Sequence, residues 1–129
     1  MITVVSRWKL KNGVPPVLAE ALREAAYGYE KAEPGTHLYF VNLGAPKPLG
    51  PDLQPAQPPN ASIPANEQQE VVFIEKYPDA VAFAEHVNGE VFAEFRKKFL
   101  SHFHEHPDQP GWPMRETLFL EEQSGFARG

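Results

Sequence analysis

The chain has no cysteine among its 129 residues, which excludes disulfides and thiolate chemistry and is compatible with a reducing compartment. No basic cluster is longer than Arg96-Lys97-Lys98 and the net charge is -5. A phosphate backbone would be repelled, so no nucleic-acid partner is expected and that short run reads as a solvated helix face. No apolar run approaches the ~18 residues that a membrane-crossing helix needs. Met1 leads straight into strand-like sequence without a basic-then-apolar leader, so a soluble, cytoplasmic protein with no membrane partner is expected. A glycine-rich phosphate loop, a Ser-His-Asp order and a nucleotide fingerprint are also missing, which leaves hydrolase and nucleotide-dependent readings without support.

What is present fits one domain. At 42% hydrophobic the chain can bury a modest single core over residues 1–122, and the polar, glycine-containing residues 123–129 read as a mobile tail. Residues 2–10 alternate, with Ile2, Val4, Ser6, Trp8 and Leu10 on one side and Thr3, Val5, Arg7 and Lys9 on the other, the period of a strand with one face on a core. Lys11-Asn12-Gly13 makes a turn, and Pro15-Pro16 suits a first helical turn, where the missing N–H would have no partner anyway. Val17, Leu18, Ala21, Leu22, Ala25 and Tyr29 then form an apolar stripe that ends at Glu33-Pro34-Gly35. Residues 36–43 read as a second strand.

Residues 44–66 hold seven prolines and almost no periodicity. They read as an irregular or polyproline-like insertion loop, either disordered or able to close over a pocket or reach across a dimer. Two PxxP spacings lie in it, a match that proline-rich loops often make by chance. Residues 71–77 are dense in β-branched and aromatic side chains and read as a third strand. Pro78 ends it and Asp79 can cap a following helix. Apolar residues recur at Ala80, Phe83, Ala84 and Val87, and again at Phe92, Phe95, Phe99 and Phe103, with a break or kink at Asn88-Gly89. A last strand is expected around residues 114–121.

The order strand, helix, strand, strand, helix, strand predicts an α+β, ferredoxin-like βαββαβ fold, a four-stranded antiparallel sheet with its helices on one face. Val71 and Phe73 point to one side of the third strand and Val72 and Ile74 to the other. Burial of both faces in so small a domain implies a second subunit on the open face, hence a homodimer.

Glu33-Pro34-Gly35 followed by Tyr39, Phe73-Ile74-Glu75-Lys76-Tyr77 entering a helix, and Ala82-Phe83-Ala84-Glu85-His86-Val87 followed by Val91-Phe92 together resemble the antibiotic biosynthesis monooxygenase family of dimeric α/β-barrel proteins. The resemblance spreads over most of the chain, and the long proline-rich loop departs from the short connection usual in the family. It implies a monooxygenase that oxidises a small aromatic, quinol or polyketide-like substrate with O2 and no cofactor, or a non-catalytic small-molecule-binding or stress-response dimer on the same scaffold. A haem-binding or haem-degrading branch exists as a minor alternative. There Ser6, His86 and Arg96 stand where those members have an asparagine, a tryptophan and a ligating histidine, and a guanidinium has no lone pair for iron.

For the oxygenase reading a base is needed, and His86, which falls where many family members have histidine, is the candidate, since imidazole titrates near neutrality. The helical spacing sets it at the border of the Phe83, Ala84 and Val87 stripe, at a cavity edge. The plainer reading is a half-exposed histidine beside the core. Ser6, Trp8, His37, Tyr39, Phe83 and Trp112 are candidate pocket residues, with Tyr39 and the indole N–H groups as donors; core packing is the ordinary alternative for each. Arg96 can pair with a substrate carboxylate or phenolate, or lie solvated at the surface. His102 and His106 have the i, i+4 spacing of two imidazoles on one helix face, with His104 nearby, but no third ligand is evident. The cluster therefore reads as helix C-terminal capping, and no metal is assigned.

Overall fold

A computed structural model describes residues 1–129. Its elements are strand β1 (Ile2–Lys9), helix α1 (Pro16–Ala32), strands β2 (Leu38–Asn42) and β3 (Glu70–Tyr77), helices α2 (Ala80–Val87) and α3 (Glu90–Phe99), and strand β4 (Arg115–Glu121). The four strands form one antiparallel sheet in the order β2-β3-β1-β4. Each strand-helix-strand crossover steps over one strand of the other half, which is the ferredoxin-like interleaving that the element order predicts. No helix is long and apolar enough to cross a membrane.

Local chemistry accounts for the boundaries. Pro16 occupies the first turn of α1, and Glu33 caps its end, with its N–H donating to the Tyr29 carbonyl at 2.9 Å. Asp79 caps α2, its Oδ1 accepting from the Ala82 N–H at 2.9 Å. Gly13 turns at φ 66°, and a Cβ there would lie 2.5 Å from the Ala65 carbonyl oxygen, so only glycine lets these two backbones meet. The main core gathers around Trp8, which lies against Phe73, Phe92, Phe95 and Phe103 with ring centroids 4.9 to 6.3 Å apart. Such aromatic pairs add about 0.5–1.5 kcal/mol each beyond the area they bury.

Four expectations need correction. Val17 is 58% exposed, because the buried stripe of α1 runs through Leu18, Ala21, Leu22 and Tyr29, one position round the helix. The buried residues of α2 are Ala82 and His86, while Ala80 and Ala84 face solvent; the cap at Asp79 fixes this phase. Beyond α3 the chain tightens into a 3-10 turn, Leu100–His102, so His106 lies outside any helix. There its Nδ1 accepts from the Asp108 N–H at 3.0 Å, and it shares no helix face with His102. Finally, residues 44–66 fold on themselves instead of closing over the site. Leu49 and Pro55 form a bridge, the Gly50 N–H donates to the Gln54 carbonyl at 2.9 Å, and Asn60 Nδ2 donates to the Lys47 carbonyl at 2.7 Å. Buried Gln68 ties the loop to the sheet by bonding both the N–H and the carbonyl of Gly44. After β4, residues 122–129 have no regular structure and are exposed.

Candidate active site

A cavity of about 260 Å³ opens between the sheet and helices α2 and α3, with Ser6, Trp8, Tyr39, Glu75, Phe83, His86, Trp112 and Arg115 in its wall. This lies just below the ~300–1,000 Å³ usual for small-molecule sites. A larger, shallower groove of about 470 Å³ runs between α1 and β2 and shares Tyr39 with the cavity, but neither His86 nor a carboxylate lines it. The cavity is therefore the candidate site.

His86 is its centre. The corrected phase of α2 places it on the middle of the buried face, 4% exposed, and not at the edge. Its ring stacks on Phe92 at 5.4 Å and meets Tyr29, Tyr39 and Tyr77 at 4.5 to 5.6 Å, a cage that holds one orientation. Its Nδ1 lies 2.8 Å from Glu33 Oε1 and its Nε2 lies 3.4 Å from Glu75 Oε1. With Nδ1–H donating to Glu33, Nε2 is left facing Glu75 and the cavity across a contact too long for a strong hydrogen bond.

Two residues not singled out from the sequence complete this array. Glu33 reaches His86 from the C-cap of α1 and also accepts from the Thr36 hydroxyl at 2.9 Å. Room for it comes from the α2–α3 break, where a Cβ at Gly89 would lie 2.9 Å from Glu33 Oε2. Glu75 is on β3, whose alternation sends Val71, Phe73, Glu75 and Tyr77 toward the helices. Burial holds its carboxyl above the usual carboxylate range, opposed by the Tyr77 hydroxyl, which donates to it at 2.5 Å, and by His86. The Tyr77 hydroxyl is in turn pushed up by burial and by Glu75. The alternation was itself a signal, since it sets a carboxylate among three apolar residues on the core side.

Of the expected pocket residues, Ser6, Trp8, Tyr39, Phe83 and Trp112 line the cavity with His86. The Trp8 indole N–H donates to Ser6 Oγ at 3.1 Å, and Ser6 Oγ lies 3.1 Å from Thr117 Oγ1, so that indole donor is used within the protein. Burial pushes the Tyr39 hydroxyl well above its ordinary range and keeps it a neutral donor. His37 is not in the site. It precedes β2 on the exposed side of the sheet edge. Arg96 is also outside the wall: its guanidinium lies over Trp112 at 4.0 Å and donates to the Gly111 carbonyl at 3.2 Å. The arginine that does line the cavity is Arg115, from β4.

No group of three His, Cys, Asp or Glu side chains is arranged to hold a metal ion. Haem does not fit the site either. His86 is the one histidine in the wall, and both its nitrogens face carboxylates, which leaves no free imidazole for iron.

Neither a family profile nor a curated protein matches the chain. Solved structures do. They include SnoaB, a cofactor-independent oxygenase from Streptomyces nogalater, with a TM-score of 0.60 and 12% identity over 98% of this chain and 97% of that one. Another is an antibiotic biosynthesis monooxygenase with a TM-score of 0.55 and 15% identity, over 96% of this chain and 100% of the other. Rv0793 from Mycobacterium tuberculosis aligns at 0.58 and 16% identity over 98% of both chains. At these identities the likeness is one of fold. The chain shares the ferredoxin-like α+β fold of antibiotic biosynthesis monooxygenase-type structures.

Proposed function

We propose that the protein is a monooxygenase that oxidises a small phenol, quinol or related enolisable aromatic with O2, with the electrons drawn from the substrate and no flavin or metal. The observation that carries this reading is His86, fixed by Glu33 on one nitrogen and turned toward Glu75 and an apolar cavity with the other. In the proposed reaction His86 Nε2 takes the acidic proton of the substrate, and Glu33 stabilises the imidazolium that results. The substrate anion gives one electron to O2. The radical and superoxide combine into a peroxide anion, which takes the proton back, and loss of water leaves a quinone-type carbonyl. One O2 is consumed, one oxygen atom enters the product and the other leaves as water. The aromatic wall of Trp8, Tyr39, Phe83 and Phe92 suits a flat ring and excludes water from the anion.

The protein in this reading works as a homodimer. On the side of the sheet away from the helices, Phe40, Ile74, Val5 and Leu118 are aligned neighbours across all four strands. Phe40 and Leu118 are each 56% exposed, and a second copy would cover such a face.

The test is oxygen consumption by chelator-treated protein against hydroquinones and anthrone-like phenols, comparing wild type with His86→Ala. Uptake above the uncatalysed rate is expected, falling about 10²–10⁴-fold in the variant. Uptake unchanged by the substitution removes His86 from the chemistry. No uptake across the panel leaves a non-catalytic small-molecule-binding dimer.

A further inference from the structure

Trp112 stands at the cavity wall with two guanidinium groups over its ring, Arg96 at 4.0 Å and Arg115 at 4.9 Å. Neither arginine belongs to an ion pair, although the other cationic side chains near the sheet, Arg7, Lys9 and Lys76, are each paired with glutamates. In a chain of net charge -5, two neighbouring cations without a carboxylate are unusual, because each is partly desolvated and they repel each other. Burial, and then the Arg96 charge, push Arg115 down from the usual arginine range.

The hydrogen bonds of Arg115 show which edge is available. Its Nη1 donates both to Gln109 Oε1 at 3.0 Å and to the Pro113 carbonyl at 3.2 Å. Its Nε and Nη2 make no hydrogen bond, so the side of the guanidinium that binds carboxylates in bidentate fashion is free, on a residue whose position is already fixed. Strand register sets the scale of the site. Arg115 is paired with Trp8 and Glu75 with Val4, a separation along β1 of about 13 Å at the strand rise. The two ends differ in sign: a free cation at one, two carboxylates around His86 at the other. An anionic group entering the cavity is attracted to the first and repelled by the second.

We propose that this cavity takes a substrate bearing a carboxylate, bound by the Nε–Nη2 edge of Arg115, with its hydroxyl at the opposite end against His86 and Glu75. The assignment rests on the reading of this cavity as the substrate site. Arg115 is then the residue that decides which aromatic hydroxy compounds are accepted and in which direction they enter. Arg96, over the same indole, adds charge without contact.

Binding measured by calorimetry separates this inference from the oxygenase reading, since it needs no turnover. The probes are 6-hydroxy-2-naphthoate, with its carboxylate and hydroxyl at opposite ends, and 2-naphthol, which lacks the carboxylate. The naphthoate is expected to bind at least 10-fold more tightly to wild type, with the preference abolished in Arg115→Gln and partly kept in Arg115→Lys, which retains the charge but not the fork. Melting curves of the variants report whether each is folded, and the ratio of the two affinities in each folded variant is what the comparison reads. Equal affinity for the two probes, absence of saturable naphthoate binding, or a preference that survives Arg115→Gln overturns the assignment. A preference that depends on Arg115 without oxygen uptake on any hydroxyaryl carboxylate overturns the oxygenase and leaves the carboxylate site standing.

Discussion

On the helix-covered face of the sheet, the buried positions of β1 and β3 include a serine and a glutamate among Val4, Trp8, Val71 and Phe73. On the uncovered face, Val5, Ile74, Phe40 and Leu118 meet in one apolar row. A sheet that served only as scaffold would keep a carboxyl off its inner face and interrupt the outer apolar row with polar side chains. A buried carboxyl costs stability unless it has partners, and Glu75 has them in Tyr77 and His86. Exposed apolar rows cost solubility unless another surface covers them. Each face thus departs from the stability optimum in a way that the proposed use explains, with the proposed chemistry inside and the proposed association outside.

Replacing the middle of the outer row is the largest perturbation expected. Ile74→Lys sets a charge between Phe40 and Val5, and about 2–4 kcal/mol of dimer affinity should be lost. Sedimentation velocity should show a dimer becoming a monomer at micromolar concentration while 2-naphthol still binds. A wild-type protein that already sediments as a monomer would sink the idea that this face is an interface.

A smaller effect is expected from the inner face. In Glu33→Gln the carbonyl still accepts from Nδ1 of His86, but the charge facing the imidazolium is gone. Turnover should fall about 10-fold, roughly 1.4 kcal/mol, with KM little changed. A change in KM alone would show that Glu33 shapes the cavity and does not support the base.

The third prediction concerns stability against pH. Burial raises the Glu75 carboxyl, so the folded state holds this proton more tightly than the unfolded chain does. Its contribution therefore declines as pH rises from the ordinary carboxylate range through the raised folded value. Glu75→Gln removes that decline. The variant should be more stable than wild type by about 1 kcal/mol near neutral pH, the advantage shrinking toward about pH 4. Urea titrations across that range check it, and parallel pH profiles for the two proteins would contradict it.

The elements were legible because they follow from short-range rules. Alternation marked β1, Asp79 marked the start of α2, and Asn88-Gly89 marked the break that α2 and α3 show. Phase was harder. The spacing of Ala80, Phe83, Ala84 and Val87 set the buried stripe of α2 beside His86, whereas burial runs through Ala82 and His86 themselves, because small alanines satisfy either face. Glu33 escaped notice as part of a turn, being 53 positions from its partner. Arg96 and Arg115 were indistinguishable as isolated arginines. Only the tertiary structure brought both over the Trp112 ring and set Arg115, but not Arg96, in the wall.

Sequence by itself determined the strand and helix order, the interleaved sheet, the absence of thiol chemistry and His86 as a candidate, set at a cavity edge. These depend on side-chain period, turn residues and composition, which are properties of neighbours along the chain. Tertiary structure decided that His86 is held between Glu33 and Glu75, that His37 lies outside and that Arg115 lines the cavity. Those outcomes depend on which distant elements meet, and on the desolvation and charge that each side chain encounters where they do.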